Sequence, residues 1–75
     1  MTKLEEKLIE LGYRKTYGLD WKKFCGKASI TLTKCCNKIT SWEIPEEDYL
    51  THLDIKRAFN EMQKDLEILE GVEDE

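Results

Sequence analysis

A chain of 75 residues with a net charge of −4 and 37% charged side chains is one small domain, able to bury only about 60% of its unfolded surface. That leaves little room for a deep catalytic cleft. No run of about 18 apolar residues exists and the N-terminus is charged and amphipathic, so the chain reads as one that stays in the cytoplasm where it is made.

In chain order, the first element is a short helix over residues 3 to 11. Thr2 and Glu5 have capping-box spacing, Leu4, Leu8 and Leu11 (with Ile9) form an apolar stripe, and Gly12 supplies the stop. So short a helix is unstable alone and depends on tertiary packing. Tyr13 falls where the apolar contact after a C-terminal glycine usually sits.

From Tyr17 to Ile44 the period changes to two. Ala28, Ile30 and Leu32 alternate with Ser29, Thr31 and Thr33, the pattern of a middle strand with one buried face. A following strand carries Thr40, Trp42 and Ile44 in alternation with Ile39, Ser41 and Glu43. The Cys36-Asn37-Lys38 link suits a hairpin that pairs Leu32 with Trp42 and Ile30 with Ile44. On the other side, Gly26-Lys27 as a tight turn pairs Trp21 with Leu32 and Cys25 with Ala28. A three-residue loop would turn Phe24 inward instead.

Pro45 ends the last strand, and Glu46, Glu47 and Asp48 connect it to a long helix from Thr51 to Gly71. Thr51 with Asp54 repeats the capping box, Leu50 and Ile55 flank it as a staple, and Ile55, Phe59, Met62, Leu66 and Leu69 make the stripe. Residues 71 to 75 form an acidic tail. The predicted fold is therefore α+β, a two-layer α-β-β-β-α domain: a three-stranded antiparallel meander with both helices on one face. Its core is Trp21, Ile30, Leu32, Trp42 and Ile44 with the helix stripes. The reverse face shows Lys22, Phe24, Ser29, Thr31, Thr33, Ile39 and Ser41.

Charge is distributed unevenly. Residues 13 to 42 hold seven basic side chains against Asp20, for +6, while residues 43 to 75 hold twelve acids against Lys56, Arg57 and Lys64, for −9. The two halves attract each other in the fold, or the basic part serves an acidic partner. Cys25, Cys35, Cys36 and His52 offer soft ligands, but an odd cysteine count with no Cys-x-x-Cys clamp fits free thiols better than a disulfide or a metal site. No third group orients a Cys-His pair for catalysis, no glycine-rich phosphate loop is present, and Glu61, Asp65 and Glu67 fall on or near the wet side of the long helix. No cofactor is expected. The helix stripe could also pair two copies of the chain, although it covers only two heptads, and a monomer is favoured.

The α-β-β-β-α order is also that of the double-stranded-RNA-binding domain, an analogy of topology alone. Lys56 and Arg57 at the start of the last helix follow Glu46, Glu47 and Asp48, which would repel phosphate. A nucleic acid or nucleotide would instead meet the basic sheet, with Lys22, Lys23, Lys34 and Lys38 around Phe24 or Trp21. Lys22, Phe24, Thr31, Thr33, Lys34 and Lys38 are the candidate binding residues.

The segments Leu4-Glu5-Glu6-Lys7-Leu8-Ile9-Glu10-Leu11-Gly12-Tyr13 and Ala58-Phe59-Asn60-Glu61-Met62-Gln63-Lys64-Asp65-Leu66-Glu67 resemble a group of small proteins encoded by phages and prophages of Firmicutes. About a third of the chain is matched closely. The middle departs from that group's Tyr- and Ile-rich strands toward Lys, Thr and Cys, and His52 stands where the group more often has an apolar residue. The resemblance implies an accessory phage protein in the host bacterial cytoplasm and carries over no catalytic or binding residue. The expected function is non-catalytic: binding and occluding a host protein, in takeover or against a defence system such as CRISPR. A nucleic-acid- or nucleotide-binding module is the alternative, and no membrane is involved.

Overall fold

The computed structural model describes residues 2–72. The proposed tail residues Glu73, Asp74 and Glu75 lie outside them. In chain order the elements are α1 (Lys3–Glu10), β1 (Arg14–Lys15), β2 (Asp20–Cys25), β3 (Ala28–Cys35), β4 (Lys38–Glu43) and α2 (His52–Glu70). The sheet is antiparallel with order β1-β2-β3-β4, so the expected three-stranded meander is corrected to four strands. β1 escapes a pattern search because it is two basic residues with no apolar alternation. It forms because the turn after α1 delivers it beside β2, where Arg14 faces Lys22 and Lys15 faces Trp21.

That turn is specified locally. Thr2 Oγ1 accepts from the Glu5 N–H at 3.2 Å and the Glu5 carboxylate accepts from the Thr2 N–H at 3.1 Å, closing the capping box. At the other end Gly12 adopts φ +103. Its N–H donates to Ile9 O at 3.0 Å, and the Tyr13 N–H to Leu8 O at 2.9 Å, a complete Schellman motif. Tyr13 is thereby turned inward and fully buried.

The two hairpins fix the register. Gly26, with φ +63, opens a two-residue turn that pairs Cys25 with Ala28 and Trp21 with Leu32. The β3–β4 turn is Cys36-Asn37, both with positive φ (54 and 65) as in a type I′ turn, and Leu32 faces Trp42 across the ladder. Between these points β4 carries a bulge: Thr33 pairs with Ser41 and Lys34 with Ile39, which leaves Thr40 unpaired. The extra residue turns Ile39 from the reverse face onto the helix side, where it packs at the margin of the core.

Leu4 and Leu8 of α1 and Ala58, Met62 and Leu69 of α2 join Tyr13, Trp21, Ala28, Ile30 and Leu32 in one buried cluster. Both helices therefore lie on the same side of the sheet. α2 packs over β3 and β2 rather than β4, so Trp42 stays 49% exposed and meets Phe59 edge-on, with centroids 5.7 Å apart. The helix is also rotated from the expected stripe. Ala58 and Asp65 are buried, while Phe59 is 37% exposed.

Candidate interaction surface

Lys22, Phe24, Thr31, Thr33 and Lys38 share the sheet face opposite the helices, as the alternation in β2 and β3 and the Cys35–Lys38 pairing require. Ser29 and Ser41 join them. Lys34 does not: it follows Ile30 and Leu32 on the helix side. The Glu5 carboxyl there is held below its usual range, first by the Thr2 N–H and Oγ1 and further by the Lys34 charge. No described element covers the reverse face.

Cross-strand pairing adds Arg14 to this face, directly opposite Lys22. Like charges in such a pair oppose each other and cost stability. The Lys22 ammonium lies 5.1 Å from the centre of the Phe24 ring, which is 69% exposed. Asp20, also on this face, is engaged by a hydrogen bond from Thr33 Oγ1 at 2.9 Å. The result is an exposed aromatic ring with the Lys22 ammonium over it, and Arg14, whose guanidinium donates to Tyr13 O at 2.9 Å, across the ladder from Lys22, with small hydroxyl residues across β3. Arg14 was not legible because β1 was not, and its signal is the pairing itself.

A second polar constellation is internal. Lys23 Nζ donates to Asp65 Oδ2 at 2.8 Å and to Glu61 Oε2 at 3.0 Å, and the Tyr13 hydroxyl donates to Asp65 Oδ2 at 2.9 Å. Asp65 is almost wholly buried, which corrects its assignment to the wet side of the helix, whereas the Glu61 side chain remains 41% exposed. Burial pulls the Lys23 pKa down, but hydrogen bonds to Asp65 and Glu61 outweigh it and leave the ammonium raised. Burial, followed by the hydrogen bond to Asp65, pushes the Tyr13 phenol far up. At neutral pH the two are therefore a fixed cation and a fixed phenol, and neither serves as a general base. The cluster is a brace between α2, β2 and the turn after α1.

Cys35 and Cys36 place their sulfurs 3.6 Å apart on the β3–β4 turn, and hydrogen bonding to Cys36 holds the Cys35 thiol above its usual pKa. Cys25 is also a free thiol. His52 is exposed at the first position of α2. Among the described residues no three His, Cys, Asp or Glu side chains converge as a metal site, and no helix is long and apolar enough to cross a membrane. No family model matches the chain, and no curated protein or solved structure matches it either.

Proposed function

We propose that this chain is a small non-catalytic binding protein that lays its reverse sheet face on an acidic surface of a bacterial host protein and occludes it. One observation carries the reading: Arg14 stands opposite Lys22 while the Lys22 ammonium rides on an exposed Phe24. An anionic partner turns that intramolecular repulsion into attraction, and Phe24 provides a rigid aromatic anchor of the kind found at interface centres. Flat occlusion needs surface and no cleft. The resemblance of both chain ends to phage and prophage accessory proteins supports action in the host cytoplasm, in takeover or in blocking a defence system such as CRISPR. Pull-down from host lysate at native salt is expected to capture one stoichiometric protein with the wild type and to lose it with Lys22→Glu and with Phe24→Ala. Absence of such a partner, or its retention by both variants, would refute the proposal.

The same cation–aromatic arrangement favours a second reading, a nucleic-acid or nucleotide ligand stacked on Phe24. A gel-shift series separates the two, because phosphate contacts weaken steeply with salt.

A further inference from the structure

The outer edge of β4 has no strand beside it among the described residues, and its exposed groups can be traced. The Lys34 N–H donates to Leu19 O at 2.9 Å, on the side away from β4. Leu32, two residues earlier, directs its backbone the same way, toward Trp21 in β2. Lys34–Ile39 and Leu32–Trp42 are therefore the non-hydrogen-bonded pairs of the β3–β4 ladder, and the N–H and C=O groups of Ile39 and Trp42 point out to the open edge.

We propose that two copies of this chain pair antiparallel through these edges, joining their sheets across a two-fold axis at Thr40-Ser41. A two-fold axis through an antiparallel pair must pass through a single ladder position, because neighbouring positions alternate in hydrogen bonding. Six regular residues would put the axis between positions and forbid the match. The bulge removes the conflict, since the six residues of β4 occupy five ladder positions, with Thr40 and Ser41 sharing the middle one. A bulge often protects an edge, but here it makes the strand symmetric about its own centre.

The side chains are self-complementary in that register. Lys38 meets Glu43 of the second copy, both on the reverse face, and Ile39 meets Trp42 of the second copy, both on the helix side. Each of the latter pairs would close two backbone hydrogen bonds. The second copy's Trp42 would also lie over the groove that Ile39 lines with Leu66, Leu69 and Val72, the part of the sheet that α2 leaves uncovered. This edge meets the candidate reverse face only at Lys38 and includes neither Lys22 nor Phe24, so the Lys22→Glu and Phe24→Ala variants test that face without touching the pairing.

Sedimentation equilibrium of the full chain, alone and as charge variants, tests the pairing. Lys38 and Glu43 are exposed, so Lys38→Glu and Glu43→Lys leave the monomer fold intact, which circular dichroism checks. The wild type is expected to dimerise, and each variant alone to associate at least about five-fold more weakly, because both cross-copy pairs become repulsive. An equimolar mixture of the two variants is expected to recover the wild-type association, since their opposed charges then match across the axis. A wild type that stays monomeric to about 1 mM, variants that dimerise as well as the wild type, or a mixture that fails to recover would each overturn the proposal.

Discussion

Removing the Asp65 carboxylate would leave the Lys23 ammonium and the Tyr13 hydroxyl inside the protein without the acceptor they share. Asp65→Ala is therefore expected to destabilise the fold by about 3 kcal/mol, read as a fall in the urea midpoint. Replacing the group as a whole, with Tyr13→Phe, Lys23→Met and Asp65→Leu together, should recover most of that loss, because the ions were costly to bury in the first place. The raised pKa of both Tyr13 and Lys23 fixes the sign of the alkaline response. In the unfolded chain these groups lose their protons near pH ~10, while the folded chain keeps them to higher pH. Their contribution is thus full below about pH 10 and is lost as pH rises beyond it. A denaturation series from neutral to alkaline pH should show this fall, and Tyr13→Phe should make it shallower. None of this was visible in the periodicity, which sorts aspartate with the solvent. Its partners stand 42 and 52 residues away.

At the level of elements, the turns carry the testable consequences. Gly12 needs its positive φ to complete the Schellman motif, and a β-carbon there would meet nothing closer than the Lys23 side chain at 3.8 Å. The penalty for Gly12→Ala is therefore conformational, about 1–2 kcal/mol, and thermal denaturation measures it. The β3–β4 turn is the converse case. Cys36 and Asn37 both hold positive φ without a glycine, so Cys36→Asn with Asn37→Gly should stabilise the protein by about 1 kcal/mol. These segments also explain what could be read in advance. Gly26 between Trp21 and Leu32 left one register that buried the tryptophan, and the Thr-x-x-acid signatures marked both helix starts. The bulge at Thr40 leaves no trace in alternating hydrophobicity, so Ile39 was assigned to the wrong face. β1 has no apolar residue to announce it, which hid Arg14 from the candidate surface.

For the molecule as a whole, the reverse face and the β4 edge divide the available surface between two uses. Phe24, Lys22 and Arg14 face away from the helices, and the Ile39–Trp42 edge lies at the far side of the sheet from β1. Edge pairing would set two such faces side by side in one continuous sheet, so a host protein with two acidic patches would bind with added avidity.

The bond from Tyr13 to Asp65 spans 52 positions of the chain, and that has a bearing on biosynthesis. A nascent polypeptide emerging from the ribosome presents Tyr13 and Lys23 long before α2 can answer them. Until then both groups donate to water, and the buried acceptor that ties the turn after α1 and β2 to α2 is missing. Folding should be a late event, completed only after α2 emerges, and a fragment ending at residue 50 is expected to be cut by protease under conditions that the full chain withstands.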